Sequence, residues 1–305
     1  MGTTGDEAIL HWPLKKLLVN PSRRHEYHLR VDAILTLQCK DQPGIVHAMT
    51  SAVLACAGNI IENQQFTDPT TELFVMRTRF ETEQSLASVV KVLHNGLSHL
   101  NPILTIRESA TKKRALVLVT KESHCLRDLL YLQELGELPV EIPLVLSNRE
   151  ELRSLVEAHG IPFICLPTDK NAAEIEINTS ILDHAIDFIV LARYMQILSK
   201  KFCLAHPGKI INIHHSFLPG FKGSKPYHQA HSRGVKVIGA TAHFVTADLD
   251  EGPIIEQDVT HVSHVASPED LVAIGRDIER RTLSKAVKLF AEDRIFIVGD
   301  RTIVF

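Results

Sequence analysis

Residues 209–220 read KIINIHHSFLPG, a continuous apolar run that ends in polar side chains and a Pro-Gly turn. A strand buried on both faces has such an unbroken apolar run, whereas a half-exposed strand alternates. Four earlier stretches share the pattern: ALVLVT (115–120), IPLVLS (142–147), IPFICL (161–166) and FIVLA (188–192). Segments with helical spacing separate these runs, at 124–135, 149–159 and 172–186. Alternating strands and helices predict an open, mostly parallel, Rossmann-like α/β domain, which we place at residues 114–305.

A different pattern precedes this domain. Four strand-like stretches are AILTLQC (33–39), NIIENQQF (59–66), ELFVMRTRF (72–80) and ILTIR (103–107). Apolar residues at helical spacing lie between them, first from Ile45 to Cys56, with Gly58 as the expected stop, and then from Leu86 to Leu97. The order β-α-β-β-α-β predicts a ferredoxin-like domain at residues 33–110. Residues 1–32 are interpreted as an N-terminal extension.

The composition excludes several classes of protein. Among 305 residues, 33 Lys and Arg balance 36 Asp and Glu, so the chain has no basic surplus for nucleic acid. No stretch reaches the roughly 20 apolar residues that a membrane-spanning helix needs. The five cysteines lie far apart without a CxxC motif, which favours reduced thiols and a cytoplasmic location.

Polar side chains mark a site at the end of the 209–220 stretch. Because side chains alternate along a strand, Asn212 and His214 share one face, and His215 is expected on the other. Asn can stabilise an oxyanion and His can transfer a proton, which suits acyl chemistry. A second segment, GATAHFVTADLDEGPII (239–255), carries Asp250 on a loop, from which its carboxylate could fix the tautomer of His214. The alternative is an ordinary polar strand end and a solvated turn.

These two segments together resemble the motif pair of the folate-dependent formyltransferases. DQPGIVHAMTSAVLACAGNIIENQQ, ahead of them, resembles an ACT regulatory domain, and the joined arrangement is similar to the formyltetrahydrofolate deformylase family over residues 33–305. The resemblance implies an ACT domain followed by a formyltransferase-like catalytic domain. It also implies hydrolysis of 10-formyltetrahydrofolate to formate and tetrahydrofolate. That reaction supplies formate for purine biosynthesis and balances one-carbon folate pools.

The resemblance assigns roles to individual residues. The catalytic positions are Asn212, His214 and Asp250. The substrate-binding positions are Leu191, Tyr194, Met195, Gln196, Leu198, His243 and Leu249, most of them in VLARYMQIL (190–198). Two residues depart from the pattern, His215 for Pro and Gln196 for Arg. Lys222, Lys225 and Tyr227 are candidates for contact with the glutamate tail of folate. No cofactor is expected besides the folate substrate.

An ACT domain implies assembly and an effector. We expect a homo-oligomer built partly through residues 33–107, with an amino-acid effector such as glycine or methionine. The expected effector-binding residues are Asp41, Gly44, Ile45 and Asn59. A domain that serves only for assembly is the alternative.

The sequence of the first βα turn distinguishes a hydrolase from a transferase. A ribonucleotide acceptor needs a Gly-rich, phosphate-binding turn, but ALVLVT is followed by KESHC (121–125), which has no glycine and contains Glu122. Water is therefore the expected nucleophile. Transfer of the formyl group to an amine remains the alternative, and tRNA formylation and a non-catalytic amino-acid sensor are further ones. No metal site is predicted, although His228 and His231, like His261 and His264, have helical spacing.

Overall fold

The computed structural model describes residues 30–220 and 226–305. The extension expected at residues 1–32 lies outside the described residues up to position 29, as do Lys222 and Lys225. Within the described ranges, no helix has the length and apolar character needed to cross a membrane.

Four antiparallel strands form the first sheet, and two helices cover one of its faces. The elements in chain order are β1 (Val31–Lys40), α1 (Ile45–Ala55), β2 (Asn59–Asp68), β3 (Leu73–Thr82), α2 (Leu86–Leu97) and β4 (Ile103–Glu108). The strand order β2-β3-β1-β4 confirms the ferredoxin-like prediction. Met49 and Val53 of α1 pack with Leu93 and Leu97 of α2 in the core beneath the helices.

The end of α1 differs from the expectation in one detail. Ala57, not Gly58, adopts the left-handed conformation, with φ 51°. Gly58 is needed for space, because a Cβ there would lie 2.7 Å from a methyl carbon of Val53 and 2.9 Å from the ring of Phe80. The glycine therefore allows α1 to pack closely on β3.

Seven strands form the second sheet, which confirms the mostly parallel α/β prediction. Its elements up to the last parallel strand are β5 (Lys113–Val119), α3 (His124–Glu134), β6 (Val140–Ser147), α4 (Arg153–Glu157), β7 (Phe163–Cys165), α5 (Lys170–Asp183), β8 (Phe188–Leu191), α6 (Lys200–Ala205) and β9 (Ile210–His214). Then follow α7 (Pro226–Ser232), β10 (Val237–Phe244), β11 (Ile254–His261) and α8 (Pro268–Ala291). The strand order is β11-β10-β9-β8-β5-β6-β7, and only the pairings of β10 with β9 and β11 are antiparallel.

A hairpin of β12 (Ile295–Val298) and β13 (Arg301–Val304) covers the second face of the first sheet. Phe296 and Val298 pack against Val75 of β3 there. Arg77, on the same face, is 3% exposed and donates a hydrogen bond to the carbonyl oxygen of Glu292. The end of the chain and the first sheet are thus packed into one structure, which the strand pattern did not indicate.

Candidate active site

The sheet register brings three polar side chains together at the carboxyl end of β9, and a loop adds a fourth. Asn212 and His214 lie two residues apart on that strand, and His243 of β10 is directly opposite Asn212. Asp250 reaches them from the loop between β10 and β11. Its Oδ2 atom lies 3.3 Å from His214 Nδ1, and its Oδ1 atom lies 3.7 Å from His243 Nε2. The three residues expected to be catalytic therefore meet at one place.

The β10–β11 loop has the shape needed to aim Asp250. Asp250 adopts a left-handed conformation, with φ 57°, which Asp tolerates better than most residues. Two residues later, Gly252 packs against the backbone of β10, where a Cβ would lie 1.8 Å from the carbonyl oxygen of Phe244. The N–H of Phe244 donates to the carbonyl oxygen of Pro253 at 2.9 Å. The loop is thus folded back tightly onto the end of β10.

Hydrogen bonds fix the orientation of Asn212. His243 Nδ1 lies 2.9 Å from the carbonyl oxygen of Phe244, and a carbonyl only accepts, so Nδ1 carries the proton. In the neutral ring Nε2 is then an acceptor, and Asn212 Nδ2 donates to it at 3.2 Å. An amide nitrogen has two hydrogens, so the second N–H of Asn212 stays available for a ligand.

The imidazole of His214 is held in a similar way. It is 6% exposed, and Nδ1 faces Asp250. Its second nitrogen, Nε2, is buried and has no hydrogen-bond partner among the residues that the structure describes. Hydrogen bonding to His214 holds the pKa of the Asp250 carboxyl well below its ordinary value. Asp250 is therefore a stable negative charge beside His214.

A cavity of about 670 Å³ opens beside these groups. Every residue predicted to bind substrate lines it: Leu191, Tyr194, Met195, Gln196, Leu198, His243 and Leu249. The N–H of Met195 donates to Thr120 Oγ1 at 2.9 Å, which fixes this wall to the end of β5. Burial raises the pKa of Tyr194 to about 12, so its hydroxyl stays neutral. A largely apolar wall next to polar groups suits a flat heteroaromatic ligand.

The other end of the cavity lies against α3 and α8 and contains groups that the sequence did not reveal. Glu279 of α8 is 2% exposed, accepts from Tyr227 Oη at 2.7 Å, and lies 2.8 Å from His124 Nε2. Burial alone would raise the pKa of Glu279, but His124 and Arg193 outweigh it and hold that pKa below its ordinary value. Gly275 makes room for Tyr227, whose ring occupies the position of a Cβ on that glycine.

Two expectations need correction at this end. Tyr227 is buried against Glu279, so its hydroxyl is not available for a folate tail. Glu122, in contrast, lines the cavity as expected, and its carboxylate lies 3.7 Å from Arg276. His215 does not point away from His214, because β9 ends at His214 and the alternation stops there. The two rings stack, with centroids 5.2 Å apart and planes at 26°.

One group of side chains in the described chain could hold a metal ion, namely His124, Cys125 and Glu279. Both carboxylate oxygens of Glu279 are engaged, by His124 and Tyr227. Burial raises the pKa of Cys125 well above its ordinary value, which disfavours the thiolate that a metal needs. The chemistry of this donor set therefore favours a hydrogen-bonded cluster over a metal centre.

The structure does not bring the expected effector residues together within one chain. Asp41 and Gly44 lie just after β1, and Gly44 precedes α1 with φ 93°. Ile45 is buried in the core, so its side chain is not available to a ligand. Asn59 begins β2 opposite Glu81, at the end of the sheet where β1 starts, whereas Lys40 pairs with Leu73 at the other end. Asn59 is therefore a full strand length from Asp41.

Comparison with known proteins agrees with the fold and the site. A family model described as formyl transferase matches residues 113–287. The formyltetrahydrofolate deformylase of Synechocystis sp. is 44% identical over 279 residues, which cover 90% of this chain and 98% of the relative. The enzyme of that name from Bacillus subtilis is 45% identical over 278 residues, or 89% of this chain and 93% of the relative.

Solved structures give the same result. The crystal structure of formyltetrahydrofolate deformylase from Burkholderia mallei matches with a TM-score of 0.87 at 41% identity, covering 90% of this chain and 99% of that one. Glycinamide ribonucleotide transformylase 1 from Symbiobacterium toebii matches with a TM-score of 0.60 at 32% identity, over 64% of this chain and 94% of that one. By sequence and by structure, this chain belongs to the formyltetrahydrofolate deformylase family.

Proposed function

We propose that the protein hydrolyses 10-formyltetrahydrofolate to formate and tetrahydrofolate, with no cofactor besides this substrate. The observation that carries the proposal is the meeting of Asn212, His214 and Asp250 beside a cavity with a largely apolar wall. The relatives named above and the absence of a Gly-rich turn after β5 support the same reaction. We place it in the cytoplasm, because the described cysteines are unpaired thiols, as is usual in a reducing compartment.

The proposed reaction begins when water attacks the formyl carbon. The oxygen of water bonds to that carbon while the carbonyl π electrons move onto its oxygen. Asp250 orients the water by accepting a hydrogen bond from it, and the proton that water loses passes to solvent. The free N–H of Asn212 and a protonated His214 stabilise the oxyanion. The C–N bond then breaks as the oxyanion electrons re-form the carbonyl, and the nitrogen of tetrahydrofolate takes a proton from His214. The formic acid released loses its proton to give formate, and His214 regains a proton from solvent. His243 keeps the Asn212 amide in the orientation that this step needs.

The far end of the cavity supports water, not an amine, as the acceptor. Its two arginines are committed, since Arg276 pairs with Glu122 and Arg193 lies 3.4 Å from a carboxylate oxygen of Glu279. Among the described residues lining this end, no uncommitted cation is left to hold the phosphate of a ribonucleotide. A buried, ionised Glu279 also disfavours an anionic acceptor there.

Incubation with 10-formyltetrahydrofolate alone, in water enriched in ¹⁸O, tests this function. We expect free formate carrying one ¹⁸O atom without any added acceptor. Asn212→Ala and His214→Ala should each lower the rate by about a hundred- to thousand-fold. His264→Ala, at an exposed histidine outside the cavity, is the matched control and should retain the wild-type rate. Formate release that requires an added amine would favour the transferase, and wild-type turnover by either site variant would refute the residue roles.

We also propose that the chain forms a homo-oligomer through the first sheet and that this region binds an amino-acid effector such as glycine or methionine. β2 and β4 are the edge strands of the sheet and expose Ile61, Phe66 and Ile103. Because Asp41 and Asn59 lie at opposite ends of one sheet, a shared effector site would combine loops from two subunits. Light scattering should give a mass above that of one chain, and a monomer at working concentration would contradict this arrangement.

A further inference from the structure

A line of contacts connects α8 to the ring of His214. It begins at Glu279, which contacts His124 of α3 and Tyr227 of α7. It continues through Arg193, whose Nε atom lies 3.4 Å from Glu279 Oε2 without hydrogen-bond geometry. Arg193 lies two residues after the end of β8 and adopts a left-handed conformation, with φ 64°, which is uncommon for a long side chain. Its guanidinium is thereby directed into the protein.

The contact between Arg193 and His215 fixes the state of the histidine. Arg193 Nη1 lies 2.6 Å from His215 Nδ1. A guanidinium can only donate, so His215 Nδ1 must accept through its lone pair. The ring is therefore neutral and carries its proton on Nε2.

His215 is the stacking partner of His214, with ring centroids 5.2 Å apart. The other groups around it are Tyr227 from α7, with a centroid distance of 6.2 Å, Glu279 from α8, and Asp250 from the β10–β11 loop. Burial first and Arg193 second lower the pKa of His215 to about 4, while Glu279 and Asp250 act in the opposite direction. Without the arginine, burial alone would be left to oppose the two carboxylates, which favour a proton on this ring.

We propose that Arg193 is a positioning residue that keeps His215 neutral, so that the stacked ring of His214 can carry the catalytic proton. This role rests on the hydrolysis proposed above. A proton on His215 would place a positive charge on the ring stacked against His214, with ring centroids 5.2 Å apart, and like charges this close disfavour the protonated form of His214. His214 would then carry the catalytic proton less often.

The Arg193→Met variant tests the role through two readouts. NMR titration of the histidine ring protons in the free protein should show the pKa of His215 rising, because one of the two main causes that lower it is gone. The limb of the kcat/KM profile on which activity falls with rising pH, which reports loss of the catalytic proton, should move to lower pH. Arg193→Lys, which keeps the charge, should restore both. Arg281→Met, which removes an exposed arginine paired with Asp258, should move neither.

Other variants keep the test decisive. In a His215→Asn background, Arg193→Met should no longer move that limb to lower pH, because the ring that would gain the second positive charge is gone. If Arg193→Met does not fold, Arg193→Gln removes the charge while keeping a donor and should shift both readouts in the same direction. An unchanged pKa of His215, or a profile that is lower in height but unmoved in pH, would overturn the proposal. NMR titration needs no substrate, so this proposal and the hydrolysis can fail separately.

Discussion

An imidazole buried beside an arginine resists protonation, and His215 is in that position. Its pKa of about 4 lies below the ordinary 6.5, so the unfolded chain binds this proton before the folded chain does. Stability therefore falls as the pH drops from about 6.5 to about 4, and below that range both states are protonated. A shift of this size corresponds to roughly 3 kcal/mol of unfolding free energy.

We predict that His215→Asn removes this part of the pH dependence. An Asn oxygen can still accept from Arg193, but it does not titrate. Denaturant unfolding of both proteins at pH 4.5 and pH 7.5 measures the difference. The wild type should lose more unfolding free energy on acidification than the variant, and equal losses would contradict the neutral state of His215.

The sequence predicted which polar groups meet at the end of β9 and which residues line the cavity beside them, but not the contacts behind His214. Strand alternation and a strand end were enough to pair Asn212 with His214, because both signals are local. The contacts of Arg193 with His215 and Glu279 depend on how α8 packs across β8 and β9, which no local pattern encodes. One signal for Glu279 was present, since it interrupts the apolar stripe formed by Leu271 and Ile278 on α8.

At the scale of elements, the β10–β11 loop is the part that completes the site. β9 and β10 position their own side chains through the sheet register. The position of Asp250 depends instead on a loop that packs tightly against the backbone of Phe244. A methyl group at Gly252 would collide with backbone, which cannot move aside as a side chain can. The loop must therefore shift, and Asp250 must shift with it.

We predict that Gly252→Ala lowers kcat for formate release by at least about tenfold, because a displacement of about 1 Å at a catalytic group has effects of this order or larger. Gly136→Ala is the control. Gly136 has φ 73° but open space around it, so an alanine there costs about 1 kcal/mol of backbone strain and leaves the site intact. Wild-type kcat in the Gly252 variant would show that the loop does not aim Asp250.

The whole molecule is held together around the end of α8. Three cationic side chains donate hydrogen bonds to the last carbonyl oxygens of this helix. Two come from the first sheet, Arg107 to Ala291 and Arg77 to Glu292, and the third is Lys113 at the start of β5, which donates to Phe290. Cations are favoured at a helix C-terminus, where the helix dipole is negative. The ferredoxin-like order and the α/β order were both predictable from sequence, but this junction was not, because its partners are about 200 residues apart.

We predict that Phe296→Ala weakens the packing of the β12–β13 hairpin on the first sheet. The unfolding free energy should fall by about 3 kcal/mol, as for other truncations of buried aromatic side chains. Phe296 packs on Val75 beneath the hairpin, and its removal leaves a cavity there. Tyr131→Ala, at an exposed aromatic side chain of α3, should cost much less. Chemical denaturation compares the two, and equal losses would show that the hairpin packing contributes little.

The position of β12 and β13 also affects how the protein folds while it is being synthesised. These strands follow every other element of the described chain, yet they cover the face of β3 that carries Val75. During translation, the first sheet must therefore leave the ribosome with an apolar strip still open to water. That apolar strip stays accessible to chaperones, and to aggregation with other chains, until the hairpin emerges and packs on it.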